Sequence, residues 1–230
     1  MENLPAYISI VFVLATLLTA LLFFKATGNK PVIIFVTILW LTLQALIAGK
    51  GFYTVTDTIP PHFILAVFPP LILIIFLFGS SKGRKFLDIT NQKTLTLIHI
   101  VRIPVELVLL WLSIHKLVPS IMTFEGRNLD IFSGITAPLV YYFAFVQDRL
   151  GRTGMLVWNF ICLALLINIV IIAILSAPFV FQKLAFDQPN IAILYFPFIW
   201  LPCFIVPVIL FAHLTEIRRL MRSKLLAAAA

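Results

Sequence analysis

Charge is scarce in this sequence. Asp, Glu, Lys and Arg supply 11% of its 230 residues and apolar residues 62%, whereas a soluble domain carries about 25% charged and 45–50% apolar residues. A water-exposed globule is excluded, and the chain reads as an integral membrane protein. Cysteine is nearly absent as well. Cys162 and Cys203 both lie inside apolar runs, so they give no disulfide framework. The 4 histidines show no HxxxH, HExxH or CxxCH spacing, which removes the usual zinc and c-type haem signatures. There is no GxSxG elbow for a serine hydrolase. No metal site and no cofactor is expected. The net charge of +8 comes from bases in short loops between apolar runs, so nucleic acid is not an expected partner. Membrane lipids and a small or lipophilic ligand are.

Long apolar runs are what the sequence has in abundance. Seven are long enough to span a bilayer, at about 5–25, 31–49, 61–79, 93–116, 131–148, 155–177 and 190–214. They are continuous rather than alternating, which predicts an all-α seven-transmembrane-helix bundle and not a barrel. The first run follows Met-Glu-Asn, with no basic leader, and reads as a retained helix rather than a signal peptide. Residues 227–230 read as an artificial alanine tail, which leaves a single domain over 1–226.

Loop charge predicts the orientation. One set of ends holds 12 bases (Lys25, Lys30, Lys82, Arg84, Lys85, Lys93, Arg149, Arg152, Arg218, Arg219, Arg222 and Lys224), and the other holds 4 (Lys50, Lys116, Arg127 and Lys183). The positive-inside rule puts the N-terminus outside and the C-terminus in the cytoplasm, with a bacterial cytoplasmic membrane as the expected location. Prolines 69, 70, 104, 138, 197, 202 and 207 fall inside the runs and predict several proline-kinked helices. Bends in the third and seventh would open a cavity beside the fourth. Two outer loops are candidate lids. Loop 118–130 carries a polar cluster of Glu125, Arg127 and Asp130, with Asn128, around Gly126. Loop 178–190 carries Phe179, Phe181 and Phe186, and its Asp187 and Pro189 predict the start of the seventh helix.

The fourth run is the unusual one. Its 13 Leu, Ile and Val residues between Leu95 and Ile114 favour insertion by roughly 4–8 kcal/mol in total, and a charged residue at the centre costs about 2.5–3.5 kcal/mol. Arg102 and Glu106 therefore cancel most of that gain. Gln92, His99, Glu106 and Ser113 recur every 7 residues, so with Arg102 they form one stripe opposite Ile98, Val101, Val105, Val108 and Leu112. Such a helix must lie inside the bundle. Arg102 and Glu106, four residues apart, are within reach of each other, and ionisable groups at this depth mark functional sites. The candidate ligand-binding set is His99, Arg102 and Glu106, with Gln44, Asn159 and Tyr141 as groups that other helices can bring in. Ser9, Thr16, Thr37 and Asn168 are further polar positions within the runs. Asn159 and Asn168 cannot share a face.

Known seven-span families do not fit. A retinal pigment needs a lysine in its last helix, and 190–214 contains none; the receptor NPxxY is absent too. His99 and His115 lie about 160° apart around the helix, so the paired depths of His99 with His213 and His62 with His115 do not make a di-haem seam. A zinc amidase would have only His99 and His213, with Asp148 or Glu216, for ligands. The leading expectation is binding, extending to translocation, of a small or amphipathic ligand. The alternatives are an intramembrane enzyme acting on a lipid or isoprenoid, with Glu106 and His99 as acid and base, and a structural or assembly subunit. Residue order leaves open whether the chain catalyses a reaction.

Overall fold

The computed structural model describes residues 4–228, with the side chains of 223–228 excepted. Met1-Glu2-Asn3 and residues 229–230 of the alanine run lie outside the described residues. The described residues are mostly helical and form no strand. Helices α1 (Ala6–Ala26) and α2 (Pro31–Gly49) come first. α3 (Ile64–Gly79) then breaks by 91° into the short basic α4 (Ser81–Asp88). The break falls at Ser80, whose side chain accepts from the Gly83 N–H at 3.0 Å, and not at Pro69–Pro70, through which α3 continues. A Cβ on Gly83 would overlap the Leu77 backbone, so the sharp turn needs glycine there.

The fourth apolar run contains α5 (Gln92–Ile98), a 3₁₀ turn (His99–Val101) and α6 (Arg102–Ile114). Pro104 has no N–H for the Ile100 carbonyl, and the tightened turn sits where that bond is missing. α7 (Ile131–Tyr141) passes into one π turn (Tyr142–Val146), beyond Pro138. α8 (Arg152–Ser176) follows, and a π turn (Leu201–Ile205) leads into α9 (Val206–Ala228).

Among the described residues five helical segments are long and apolar enough to cross a membrane: Ala6–Ala26, Pro31–Gly49, Gln92–Ile114, Arg152–Ser176 and Leu201–Arg222. α3 with α4 makes a sixth if the bent pair is one span. The fifth predicted span is shorter than expected. Ile131–Val146 is about 24 Å long at 1.5 Å per residue, against a hydrocarbon core of about 30 Å. The seventh predicted span begins later than 190. Residues 190–199 form no α-helix, only a 3₁₀ turn at Ala192–Leu194, and the start of the segment is tied sideways. Asn190 N–H bonds Ser176 O at 2.8 Å, and the N–H groups of Ile191 and Ala192 both bond Leu117 O at 3.0 Å. Asp187 and Pro189 start no helix. Gln188 beside them donates to Ser113 O at 2.9 Å and Val118 O at 2.5 Å.

These ties define one end of the bundle. The other end is marked by Asn91 N–H to Ala26 O at 2.7 Å and Arg152 Nε to Leu220 O at 2.6 Å, with Asp88 paired to Arg218 and Arg222. Successive long helices therefore run in opposite directions.

α5 and α6 sit inside. Ile98, Val101, Val105, Val108 and Leu112 are all buried, and α1 packs along both helices, so the apolar strip opposite the polar stripe meets protein. By contrast Val32, Phe35, Val36, Ile38 and Leu39 of α2 are exposed, as a lipid-facing helix requires. Two reciprocal indole bonds hold α2 to the chain before α9: Trp40 Nε1 to Cys203 O and Trp200 Nε1 to Leu41 O, both 2.9 Å. Pro207 cannot donate to the Cys203 carbonyl four residues earlier, and the Trp40 indole takes its place.

Candidate functional site

Three polar side chains of α5 and α6 meet partners from loop 118–130, α8 and α9. Arg102 does not pair with Glu106, as their spacing suggested. Its Nη1 lies 2.7 Å from Asp130 Oδ1 and 3.4 Å from Cys162 O, and its Nη2 lies 3.1 Å from His213 Nε2. The guanidinium points toward α7, α8 and α9, and Asp130, at the N-terminal edge of α7, reaches it first. Gly134 permits that approach. A Cβ there would stand 2.8 Å from Ile103 Cγ1 and 3.3 Å from Arg102 Cβ, so α7 lies against α6 with only a hydrogen between them.

Arginine only donates, so His213 Nε2 must accept and its hydrogen sits on Nδ1. That hydrogen goes to Asn159 Oδ1 at 2.8 Å, and Asn159 Nδ2 donates to Met155 O at 3.0 Å. His213 is thus a neutral imidazole of fixed tautomer. His99 stacks on it, with ring centroids 3.9 Å apart and planes at 20°, and Trp158 closes the His99 edge at 5.4 Å. Neither His99 nitrogen has a hydrogen-bond partner among the described residues. One turn toward the basic end, Thr96 Oγ1 donates to Glu216 Oε1 at 2.6 Å. Thr96 with His99 and His213 with Glu216 are each three residues apart, so two antiparallel helices present matching pairs.

Glu106 has a different partner. Asn128 Nδ2 lies 2.7 Å from Oε1 and 2.6 Å from Oε2 of Glu106, and 2.9 Å from Met122 O. Asn128 Oδ1 accepts from the Asp130 N–H at 3.0 Å, which fixes which end of the amide faces the carboxylate. Asn128 is wholly buried. Loop 118–130 therefore dips into the bundle and inserts Asn128 and Asp130, helped by Gly126, where a Cβ would overlap Ser120 and Ile121.

Beside Glu106 lies a cavity of about 250 Å³. Its wall is built by α3 (Ile64, Val67), α6 (Val105, Leu109), α8 (Leu166, Val170) and the π turn before α9 (Leu201, Pro202). Glu106 and Asp130 are the polar residues on it, and every other lining residue is apolar. The third and seventh apolar runs thus border a cavity beside the fourth. Phe179 and Phe181 of loop 178–190 also line it, and Phe181 and Ile174 are exposed, so the rim lies at the end away from the basic loops. Arg102 and His99 do not line it.

The other sequence candidates are placed elsewhere. Gln44 is buried but accepts from Tyr53 Oη at 2.5 Å; burial pushes the Tyr53 hydroxyl up to about 12, so it stays a donor. Tyr141 packs on Phe145, with ring centroids 5.8 Å apart, and no contact takes it to Arg102 or Glu106. Glu125 and Arg127 are exposed, while Asp130 of the same loop is buried. Asn168 is exposed and donates to Arg127 O at 3.0 Å, leaving Asn159 as the asparagine in the cluster. Glu106 and His99 are not assembled as an acid–base pair, because His99 faces His213 and not the cavity. The polar stripe is covered by the chain's own helices rather than presented to a partner, with Arg102 3% and Glu106 2% exposed. Among the described residues no three His, Cys, Asp or Glu side chains gather as a metal site.

The sequence reading left His213, Glu216 and Asn128 out of the ligand set. The three-residue spacing of His213 and Glu216 was a usable signal. Asn128 offered only its place in a polar, glycine-containing loop.

A family model described as a domain of unknown function (DUF8737) matches residues 59–221, which contain all of the site. No curated protein and no solved structure matches the chain.

Proposed function

Since the chain belongs to this family of unknown function, its activity has to be argued from geometry, and we propose that it binds, and moves across the membrane, a small amphipathic ligand. The observation that carries this reading is the apolar cavity with Glu106 and Asp130 on its wall. An apolar enclosure with a few convergent polar groups is the ordinary form of a small-molecule site. Ionisable groups at this depth pair with one another or mark a functional site, and of these two carboxylates only Asp130 is salt-bridged among the described residues. The ligand's apolar part lies among Val67, Leu109, Leu166 and Val170, and its polar head faces Glu106. Seven spans complete the proposal, with α3 and the short α7 counted among them, the N-terminus outside and the basic end in a bacterial cytoplasm. The rim at Phe181 and Ile174 then faces outward.

Native mass spectrometry from lipid nanodiscs tests this. The wild-type protein should carry a small amphipathic adduct. Ala173→Trp, which fills the cavity from α8, should lose it while elution volume and helicity are unchanged. An adduct retained by Ala173→Trp, or absent from every wild-type preparation, refutes the site. Counterflow of the released compound into proteoliposomes then tests translocation, and a rate equal to that of protein-free liposomes refutes it.

A further inference from the structure

The charges around the cavity say which kind of head group fits. Asp130 already has its counter-ion, the Arg102 guanidinium at 2.7 Å. Arg102 is further engaged by His213 and by the Cys162 carbonyl and contributes nothing to the cavity wall. Glu106 has only Asn128, a neutral amide whose nitrogen reaches both carboxylate oxygens and whose own oxygen is held by the Asp130 N–H. Both Glu106 oxygens lie within reach of that one amide nitrogen, which also faces the Met122 carbonyl. His99 and His213 sit behind Arg102 and are not on the wall. Among the described residues Glu106 is therefore a cavity-lining carboxylate without a salt bridge, in surroundings that apart from Asp130 are hydrocarbon.

We propose that the ligand is an organic cation, with an ammonium-type head on Glu106 and a short apolar body in the cavity between α3, α6 and α8. This rests on the amphipathic-ligand reading above and narrows it to one charge class. An anionic head would meet two carboxylates, with the nearest guanidinium already spent on Asp130. A neutral head would forgo the ion pair that an ammonium makes with Glu106, the lining carboxylate that has no salt bridge among the described residues. A charge-assisted N–H···O⁻ bond is about twice as strong as a neutral one, so the head group and not the tail should set affinity.

The test uses the full chain in phosphatidylcholine nanodiscs and three probes with one tail: n-octylammonium, 1-octanol and n-octyl sulfate. Binding is measured by titration calorimetry against empty nanodiscs. Octylammonium should bind at least tenfold tighter than octanol, or about 1.4 kcal/mol, with octyl sulfate weakest. Glu106→Gln should bring octylammonium down to octanol's affinity and leave octanol's own unchanged. The wild-type series decides by itself if that variant fails to fold. Octanol or octyl sulfate equal to or tighter than octylammonium overturns the cation assignment and leaves the amphipathic site standing. Failure of all three probes overturns both.

Discussion

Asp130→Leu should be the most damaging single change near the site, because it strands a guanidinium. Arg102 and Asp130 side chains are 3% and 6% exposed and sit 2.7 Å apart. Removing one partner of a buried pair costs about 3–5 kcal/mol. Arg102 keeps its contacts to His213 at 3.1 Å and Cys162 O at 3.4 Å. Those are neutral acceptors for a charged donor, worth up to roughly 1.5–3 kcal/mol each, so the lower part of that range is expected. At about 2–4 °C per kcal/mol for a chain of this size, the midpoint should fall by about 6–12 °C. Arg102→Met should also destabilise. The double variant replaces the pair by apolar side chains and should recover much of the loss, because a buried pair exchanged for hydrocarbon is close to neutral. The four proteins form a double-mutant cycle, read by thermal unfolding in mild detergent with tryptophan fluorescence. A shift below about 2 °C for Asp130→Leu, or single losses that simply add in the double variant, would refute the claim that this pair neutralises the interior.

Three further outcomes are expected. Gly134→Ala sets a methyl 2.8 Å from Ile103 Cγ1 and should cost about 1–3 kcal/mol by forcing α7 off α6; Gly49→Ala, with nothing within 4 Å of the new Cβ, is its control, and equal thermal shifts would sink the argument. Trp40→Phe should cost about 1–3 kcal/mol by leaving the Cys203 carbonyl unpaired. Measured in a Pro207→Ala background, where the backbone N–H gained at that position can take the carbonyl, the same change should cost much less; an undiminished loss there would show that the indole bond does not replace the missing proline donor. Asp88, on α4 outside the apolar spans, has its carboxyl held below its usual value by the Arg218 hydrogen bond and then by the charges of Arg218 and Arg222. A lowered carboxylate stabilises fully above the unfolded value of about 3.9, and that contribution is lost as pH falls through the folded one. Between about pH 6 and pH 3 the wild type should therefore lose more thermal stability than Asp88→Asn, and parallel losses would count against the docking of α4 on α9.

Part of this protein can be read from residue order alone. Continuous apolar runs dictate helices in lipid, because every backbone donor must be satisfied within its own segment. The insertion cost of Arg102 and Glu106 dictates that the fourth run is internal. The runs did not reveal where helices would stop. Residues 190–200 are as apolar as a span, yet the N–H groups of Asn190, Ile191 and Ala192 go to Ser176 and Leu117, carbonyls that lie beside them only once α6 and α8 are packed. Partner choice was hidden for the same reason. Spacing on one helix shows that Arg102 and Glu106 can meet, but it carries no information about competitors from elsewhere. Asp130 and Asn128 win because loop 118–130 folds inward and Gly134 lets α7 close on α6. Helical periodicity is local physics and is written in the chain. The identity of the group opposite a buried charge depends on contacts between residues far apart in sequence, and only the tertiary structure decides it.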